Sequence, residues 1–301
     1  MRLAVTTGVL CLVFSPHAQL LAEGYRFTTI DYPDSEWTEL HGINAKGTIV
    51  GYYSDSAGVQ RAFRLRNRAF ETIAIPEQPD AQLVHARGIN ARGDIVFNVD
   101  DRDGNSHGYL LSDGRFQRIG PPGAMLTILE EVNNAGDITG SWFDQDFNRT
   151  HFIRKGGKFH TLEFPPDIGG VFRAAQDNGS VLVGYMSGPD FGETGFIRRK
   201  SGKFQVIPHP AIPEGGCQGF RYINQGGEIV GSFAVLGPGE DCYPPFRESH
   251  GFLLRNGQFT LIDYPGIAST EPTGINDDGV IIGRYTDSDG RVHGFKAVPK
   301  P

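Results

Sequence analysis

F-T-L-I-D-Y-P at residues 259–265 and G-I-N-D-D-G-V-I-I-G-R-Y-T-D-S-D-G-R-V-H-G-F at residues 274–295 together form one complete repeat of this chain. The same order of signals occurs six times. A β-type run ends at proline, a G-I-N segment and a turn with glycine follow, and an I-V-G-x-Y run, an Asp/Gly turn and H-G-F complete the repeat. The leading phenylalanines are separated by 43, 46, 43, 45 and 55 residues, and they are Phe27, Phe70, Phe116, Phe159, Phe204 and Phe259.

Each repeat predicts four short β-strands. The runs between turns alternate or are rich in β-branched residues, and no stretch has the 3.6-residue period of a helix. In the first repeat the expected strands are Glu39–Asn44, Thr48–Tyr53, Val59–Arg66 and Phe70–Pro76. A period of about 40–50 residues with four strands each is typical of the blades of a β-propeller. The chain is therefore predicted to be all-β.

The two ends of the repeat array predict how the structure closes. After the last H-G-F the chain has no F-x-x-I-D-Y-P strand, and the missing strand stands at the other end as Phe27–Pro33. Pairing of this strand beside His293–Val298 would complete the last blade and leave no open sheet edge. We therefore expect a six-bladed β-propeller of four-stranded blades, closed by the N-terminal strand, as a single domain over residues 23–301. A β-sandwich or an open solenoid would not need the displaced strand.

Residues 1–22 have the pattern of a signal peptide. Arg2 precedes an apolar run from Leu3 to Phe14, and cleavage after Ala18 or Ala22 fits the sequence. The run is too short to span a bilayer, which favours a cleaved signal over an anchor. The alternative is a buried first strand. We expect a secreted or periplasmic protein.

Composition argues against several partners. The formal net charge is −7, so bulk attraction to nucleic acid or an anionic membrane is not expected. No second long apolar stretch follows the N-terminal one, so we expect no membrane span in the mature protein. We also expect a monomer with no cofactor.

The chain contains three cysteines, and Cys11 lies in the predicted signal peptide. The remaining pair, Cys217 and Cys242, predicts a disulfide in an exported protein. Two isolated cysteines are a poor basis for a metal site, and no metal site is expected.

Motifs within the repeats resemble those of extracellular repeat proteins named for a His-Ala-Phe (HAF) motif. The motif is represented by Arg61-Ala62-Phe63, His107-Gly108-Tyr109, His250-Gly251-Phe252 and His293-Gly294-Phe295. The third and fourth repeats depart from it, with His151-Phe152 and Gly195-Phe196. The resemblance covers nearly all of the mature chain. It implies a β-propeller that is secreted or part of the cell envelope, and it implies no particular activity.

Polar residues that recur in most repeats are interpreted as structural. His107, His250 and His293 occupy one repeated position, where packing or hydrogen bonding is expected rather than metal ligation. An aspartate recurs six residues before the motif and should cap its turn, at Asp55, Asp101, Asp144 and Asp287. The D-S-D-G string at Asp287 lacks the closing glutamate and the spacing of a calcium loop. The asparagine of G-I-N is likewise interpreted as a turn residue.

Polar residues that differ from repeat to repeat indicate a site. Three residues before the G-I-N asparagine the repeats have His41, Arg87, Glu130, Arg173, Arg221 and Thr273; five before it they have Glu39, His85, Ile128, Val171, Gly219 and Glu271. Strand alternation places these two positions on one face. If the segment is the innermost strand of each blade, the polar side chains gather at the mouth of the central channel. The expected cross-strand neighbour is a glycine that leaves room for a long side chain, at Gly51, Gly140, Gly184, Gly231 and Gly283.

Two interpretations of this ring remain open. In one, glutamates neutralise the arginines, so that the ring is a structural plug. In the other, Arg87, Arg173 and Arg221 bind an anionic or polar ligand together with Glu39, Glu271 and Thr273. The fifth repeat is longer at Leu236–Glu248, so a Cys217–Cys242 disulfide would fasten a raised loop beside Arg221 on the same face.

Three classes of function follow from the ring. The first is a binding protein for a glycan or small anionic ligand. Because the polar residues differ between repeats, a single axial site is favoured over a multivalent lectin. The second is an enzyme: a polysaccharide lyase with His41 or His85 as base and Tyr52 as acid, or a glycoside hydrolase with Glu130 as acid. The third is a structural envelope protein. No P-loop, nucleophile elbow, dinucleotide fingerprint or metalloprotease motif is present.

Overall fold

The computed structural model describes residues 24–101, 103–164, 171–188, 192–212, 216–234, 236, 242 and 248–301. The side chains of residues 171–177, 187–188 and 192 are not described. The predicted signal peptide, residues 1–22, and most of the predicted loop at 236–248 lie outside the described residues.

The described residues form 24 β-strands and no α-helix, which confirms the all-β prediction. Strand β1 (Tyr25–Ile30) is followed by unit 1: β2 (Trp37–Ile43), β3 (Ile49–Ser54), β4 (Gln60–Arg66) and β5 (Ala69–Ile73). Unit 2 contains β6 (Leu83–Ile89), β7 (Ile95–Asp100), β8 (Ser106–Ser112) and β9 (Arg115–Ile119). Unit 3 contains β10 (Leu126–Val132), β11 (Ile138–Phe143), β12 (Arg149–Lys155) and β13 (Lys158–Thr161).

The later units repeat the pattern. Unit 4 contains β14 (Val171–Asp177), β15 (Val181–Gly188), β16 (Gly192–Arg199) and β17 (Phe204–Val206). Unit 5 contains β18 (Cys217–Ile223), β19 (Ile229–Ala234), β20 (Ser249–Arg255) and β21 (Gln258–Leu261). Unit 6 contains β22 (Ser269–Ile275), β23 (Ile281–Thr286) and β24 (Val292–Pro299), and β1 is its fourth strand.

Within each unit, neighbouring strands pair antiparallel. The predicted pairing of the N-terminal strand is confirmed: β1 runs antiparallel to β24, from Tyr25 opposite Pro299 to Ile30 opposite Gly294. Isolated parallel bridges, such as Gln60 with Leu83, connect some neighbouring units. The described strands consequently make hydrogen-bonded sheets of twelve, four and eight strands rather than one closed sheet.

A β-bulge interrupts the first strand of every unit and determines where glycine is needed. In unit 1, Leu40 pairs with Gly51 and Gly42 pairs with Val50, so His41 is the extra residue. A Cβ on Gly51 would lie 2.1 Å from the Glu39 carbonyl oxygen. The repeated glycine therefore makes room for the bulged backbone, and not for a long side chain as the sequence predicted.

The same glycines also receive the phenylalanine of the H-G-F motif. A Cβ on Gly231 would lie 2.6 Å from the Phe252 ring, and one on Gly283 would lie 2.6 Å from the Phe295 ring. Both rings are fully buried. Replacing such a ring by alanine costs about 3–5 kcal/mol in a well-packed core, so this glycine–phenylalanine contact explains why the two motifs recur together.

The core lies between units. Each of six clusters of buried apolar side chains joins two neighbouring units, and one of them joins the first unit to the last: Leu40 and Phe63 of unit 1 pack with Ile282 of unit 6. Burying a side chain of this size contributes about 1.5–3 kcal/mol. Among the described residues no helix is long and apolar enough to span a bilayer.

The G-I-N asparagines connect the units as well as closing turns. In unit 1, Asn44 Oδ1 accepts hydrogen bonds from the Lys46 and Thr48 amides, as predicted, while Nδ2 donates to the Asn90 carbonyl of unit 2 at 3.1 Å. Equivalent bonds join unit 2 to unit 3, unit 4 to unit 5, unit 5 to unit 6 and unit 6 to unit 1, the last from Asn276 Nδ2 to the Asn44 carbonyl at 3.3 Å. Asn133 Nδ2 of unit 3 has no hydrogen-bond partner among the described residues. One residue type thus serves both the hairpin and the interface.

Candidate functional site

The bulge brings the variable residues of neighbouring units together. The residue that it leaves unpaired is His41, Arg87, Glu130, Ala175, Arg221 or Thr273. Five of these six are the predicted residues. The fourth repeat differs, because Arg173 pairs with Tyr185 in the register of Glu39, and its side chain is outside the described residues.

A set of polar side chains from units 1, 2, 3 and 6 forms one connected group, which we term the polar cluster. Its members are Glu39, His41, Tyr52, His85, Arg87, Glu130, Glu271 and Arg284. Six of the eight come from the first strands of their units, as the sequence predicted. Tyr52 and Arg284 come from the second strands β3 and β23.

Glu39 is the centre of the unit 1 side of the cluster. Its Oε2 accepts the Tyr52 hydroxyl at 2.9 Å and lies 3.3 Å from His41 Nε2, while its Oε1 accepts Arg284 Nη1 at 2.7 Å. Burial by itself would raise the pKa of Glu39, but the hydrogen bonds from His41 and Tyr52 and the charge of Arg284 hold it below the usual range. Glu39 is therefore a carboxylate at neutral pH.

An aromatic stack extends this side of the cluster. The Tyr52 ring lies between two imidazoles, with centroid distances of 5.1 Å to His41 and 3.8 Å to His85. The Trp37 and Tyr52 rings meet edge to face, with a centroid distance of 5.6 Å. His85 Nε2 is hydrogen-bonded to Gln60 Oε1. Half-buried Trp37 thus adds an aromatic edge to a group of polar side chains.

The two imidazoles are neutral at physiological pH. Burial lowers the pKa of both His41 and His85 to about 4, and the nearby Arg87 charge acts in the same direction. The reverse holds for Tyr52, since burial and the Glu39 charge raise the pKa of its hydroxyl well above the usual range. The cluster thus offers neutral nitrogen bases beside a fixed positive charge.

Arg87 is a cation of the polar cluster that has unused hydrogen-bonding capacity among the described residues. Its Nη2 donates to Glu130 Oε2 at 3.3 Å, and its side chain is 28% exposed. Its Nε is buried and has no hydrogen-bond partner among the described residues. A buried guanidinium N–H without a partner is costly. Because Nε is covered, a carboxylate or hydroxyl of a ligand would meet the exposed part of the side chain and not Nε itself.

Arg284 serves a different purpose. It donates from Nη1 to Glu39 Oε1 and from Nη2 to Glu271 Oε2 at 3.0 Å, so that one guanidinium joins carboxylates of units 1 and 6. Arg284 was not predicted, because the variable positions that indicated the ring lie on the first strand of each repeat. Arg284 is the x of I-V-G-x-Y, opposite Glu271 in the sheet, and that position could have revealed it.

The remaining predicted ligand-binding residues are separate from these contacts. Arg221 lies over the Tyr185 ring at 4.7 Å, and the Glu271 carboxylate is close enough to contribute to its raised pKa. Burial is the largest single effect on the pKa of Arg221 and lowers it, but the combined effects of Tyr185 and Glu271 are larger and raise it. The Thr273 hydroxyl donates to the Leu40 carbonyl of unit 1, so it is engaged in an inter-unit contact.

The recurring histidines and aspartates form structural contacts. Asp287 Oδ1 accepts the amides of Asp289 and Arg291, and its Oδ2 lies 3.1 Å from His293 Nε2. The other imidazole nitrogen of His293 lies 2.8 Å from Asp31 Oδ2 on the chain just after β1. These hydrogen bonds explain why the histidine and the aspartate recur in the repeat: both stabilise the turn and the neighbouring strands. Among the described residues no group of three or more His, Cys, Asp or Glu side chains is arranged to hold a metal.

Cys217 and Cys242 form the predicted disulfide, with Cα atoms 5.4 Å apart. Cys217 is the first residue of β18, and Arg221 lies on the same strand. The disulfide therefore ties the segment around residue 242 to the strand that carries Arg221.

A second polar region, which was not predicted from the sequence, lies at the opposite ends of the first strands. A small cavity there is lined by residues of all six units, among them buried Glu131 and Tyr222. Burial and the Glu131 charge raise the pKa of Tyr222 well above its usual value. Gly88 is required beside it, because a Cβ there would overlap the Glu131 carboxylate. Glu131 and Tyr222 occupy the position of the glycine in G-I-N, two residues before the asparagine. Three units have glycine there, so the two larger residues could have been noticed as exceptions.

No family model matches this chain. No curated protein matches it either. Solved structures do match, at 10–12% sequence identity. A TolB-like protein from Agrobacterium tumefaciens is 12% identical with a TM-score of 0.57, over 87% of this chain and 91% of that one.

Two further structures share the architecture. The β-propeller domain of the Trilobed protease from Pyrococcus furiosus, described as having an open velcro topology, is 12% identical with a TM-score of 0.51, over 87% of this chain and 94% of that one. Aleuria aurantia lectin in complex with Fucα1-6GlcNAc is 10% identical with a TM-score of 0.50, over 89% of this chain and 99% of that one. Likeness at this level of identity identifies the fold as a β-propeller and nothing more.

Proposed function

We propose that this chain is an exported six-bladed β-propeller that binds a glycan through an anionic or polar group at the polar cluster. Closure of six blades is supported by three contacts between the ends of the array. They are the pairing of β1 with β24, the shared core of Leu40 and Ile282, and the bond from Asn276 to the Asn44 carbonyl. Export is supported by the disulfide and by the signal-like pattern of residues 1–22.

The observation that carries the ligand proposal is Arg87. One face of its guanidinium is neutralised by Glu130, and its Nε has no hydrogen-bond partner among the described residues. Because Nε is covered, a planar carboxylate would pair with the exposed part of the Arg87 side chain, whose positive charge has only one contact, at 3.3 Å, to Glu130 among the described residues. The neighbouring His41 and His85 imidazoles, neutral at physiological pH, can exchange hydrogen bonds with hydroxyl groups.

Trp37 favours a carbohydrate among polar ligands. It is half-buried and supplies flat apolar surface beside hydrogen-bonding groups, whereas the Tyr52 ring is covered by His41 and His85. A ligand site of this kind combines apolar walls with a few polar groups. A sugar acid has the matching parts: an apolar ring face, hydroxyl groups and a carboxylate. Because the residues differ between units, one molecule binds one such group.

The test compares Arg87→Ala with Arg64→Ala in binding to acidic oligosaccharides, measured by glycan array and then by titration calorimetry. Arg64 is the matched control, since it also pairs with a glutamate, Glu71, but lies on the outer strands β4 and β5. We expect Arg87→Ala to weaken binding at least tenfold, as for loss of one charge-assisted contact, and Arg64→Ala to leave it unchanged. Equal affinity of the two variants, or no binding by the wild type, would overturn the proposal in favour of a structural plug.

A polysaccharide lyase is the second candidate, and the neutral imidazoles favour it. A pKa of about 4 leaves these imidazoles unprotonated at neutral pH but also makes them weak bases. Removal of the proton beside a uronate carboxylate would therefore require Arg87 to neutralise that carboxylate and so acidify the neighbouring C–H. The Tyr52 hydroxyl, however, donates to Glu39, so it must change partner before it can act as the acid. Incubation with polyuronates and measurement of the new double bond by absorbance tests this activity. A hydrolase is less favoured, since Glu39 and Glu130 are both engaged with arginines.

A further inference from the structure

Unit 3 departs from its neighbours in the turn that joins its second and third strands. Four units begin this turn with the capping aspartate, and three of them have glycine three residues later, with positive φ at Gly58, Gly104 and Gly290. Unit 3 has Phe147 there, and its φ is 60°. The backbone conformation is kept, while the residue suited to it is replaced by a bulky one.

This replacement costs stability with no gain in packing. A non-glycine residue in the left-handed region costs about 1–2 kcal/mol because of its Cβ. Of the other described non-glycine residues with positive φ, four are Asp or Asn, which tolerate it, and the fifth is Arg68. Phe147 is also 67% exposed, so its ring contributes little to the core. Strained residues of this kind cluster at active sites, ligand-binding sites and switch regions, so the outlier at Phe147 points to a function.

Phe147 lies on the same side of the molecule as the polar cluster. Leu126, which begins β10, pairs with Phe143, the residue just before the turn. The start of β10 and this turn therefore lie at the same end of the strands of unit 3. Glu130 lies on β10 a few residues further along. A ligand extending outward from Arg87 and Glu130 over unit 3 would reach this turn.

The surroundings of the ring favour a sugar over a protein partner. Gln145, Asp146 and Asn148 are exposed on either side of Phe147, so the ring is an isolated apolar face within a polar turn. Protein anchors are usually surrounded by apolar contacts that exclude water. Asp144 and Asp146 would also repel a second anionic group, which selects an uncharged residue at this position.

We propose that Phe147 is a stacking platform for an uncharged sugar residue of the same glycan whose anionic group is held at the polar cluster. This inference rests on the proposed function and extends it: the ligand is an oligosaccharide with at least one acidic and one neutral residue. The ring stacks on the apolar face of the neutral sugar, and Asp146 and Asn148 can receive its hydroxyl groups. The strained turn fixes the ring outward without the entropy cost of ordering a flexible loop.

The test replaces Phe147 by the residue of the sister turns. Phe147→Gly removes both the ring and the strain, and Arg68→Gly is the matched control, because Arg68 has a φ of 67° in the β4–β5 hairpin, away from the polar cluster. Both variants should raise the melting temperature by about 2–4 °C. Only Phe147→Gly should weaken binding, and only to oligosaccharides with a neutral residue, by about tenfold.

Binding is measured with two probes, purely acidic oligouronides and oligosaccharides of alternating uronic acid and neutral sugar. Loss in Phe147→Gly for the mixed probe alone supports the inference. Unchanged affinity for both probes overturns the stacking platform while the proposed function stands. No binding of either probe by the wild type overturns both the stacking platform and the proposed function. If Phe147→Gly instead loses binding to phosphatidylcholine–phosphatidylglycerol vesicles and not to oligosaccharides, the ring contacts a membrane surface and the stacking platform is overturned.

Discussion

Arg284→Ala should be among the most destabilising surface-accessible substitutions in this protein. The side chain is 29% exposed, but it joins Glu39 and Glu271, whose side chains are only 12% and 15% exposed. Removing one partner of a buried ion pair costs about 3–5 kcal/mol, because the other charge stays buried. Partial exposure of the guanidinium screens the interaction, so we take the lower end, about 3 kcal/mol. At roughly 2 °C per kcal/mol for a chain of this size, the melting temperature should fall by about 6 °C.

Urea unfolding followed by tryptophan fluorescence measures the loss in the free energy of unfolding, thermal unfolding measures the melting temperature, and Arg64→Ala is the control. Arg64 pairs with Glu71, whose side chain is 60% exposed, so its loss should cost no more than about 1 kcal/mol. The effect of Arg284→Ala should also depend on pH. The pKa of folded Glu39 is below its unfolded value, so the stability that it contributes is present above about pH 4.3 and is lost as pH falls. The difference between wild type and Arg284→Ala should therefore be smaller at pH 3 than at pH 7.

Equal losses in Arg284→Ala and Arg64→Ala at pH 7 would refute this reasoning. Such a result would mean that Glu39 and Glu271 find other partners or water once the arginine is gone. Arg284 would then be available to bind a ligand, and the structural role given to Arg284 and the ligand-binding role given to Arg87 would no longer be distinct.

Three further outcomes follow from the described contacts. His41→Gln should make the free energy of unfolding less dependent on pH between about 4 and 6.5, because the buried imidazole stays neutral while the unfolded one accepts a proton as pH falls; a pH series of urea titrations measures this, and an unchanged slope would contradict it. Cys217→Ser, which opens the disulfide to Cys242 across a separation of 25 residues, should cost about 3 kcal/mol on the chain-entropy model, measured by calorimetry. Gly51→Ala should prevent normal folding or cost several kcal/mol on the scale of overpacked cores, since the new Cβ would lie 2.1 Å from a backbone oxygen; Gly24→Ala, with open space around it, is the control, and equal stability of the two variants would show that the strand pairing had been misjudged.

The repeat and its strand order could be predicted from the sequence because they depend on local signals. Glycine and asparagine mark the hairpins, and apolar alternation marks the strands between them. The expected strand Thr48–Tyr53 differs from the observed Ile49–Ser54 by one residue. The displaced N-terminal strand was also predictable, because one repeat lacked a piece that stood at the other end.

The fourth repeat shows where local signals fail. It has no G-I-N, and alignment by spacing puts Gln176 in the place of the asparagine. In the structure Asn178 takes that role, with its Nδ2 donating to the Asn224 carbonyl, and the Asn178 amide pairs with the Val181 carbonyl across a shorter turn. This shift by two residues is why Arg173 is not at the bulge.

Contacts between distant strands were the other limit. Arg284 reaches Glu39 across 245 positions of sequence, and no local pattern specifies such a contact. The sequence predicted six first-strand members of the polar cluster, but it also predicted Arg173, Arg221 and Thr273, which are not among the described members. It did not predict that an arginine from a second strand would pair with two of the carboxylates. The balance of charge in the polar cluster, and so the choice of Arg87 as the open donor, depends on that pairing.

The pairing of β1 with β24 has a consequence for assembly. Tyr25 and Pro299 are neighbours in the sheet although most of the described residues lie between them, so the pairing of β1 with β24 closes a very long loop. Until it forms, β24 has an open edge and β1 has unpaired backbone groups. Since every copy has the same edge and the same strand, β1 of one copy fits β24 of another equally well. Refolding at high concentration should therefore yield strand-exchanged dimers, in which each molecule completes the other's last unit.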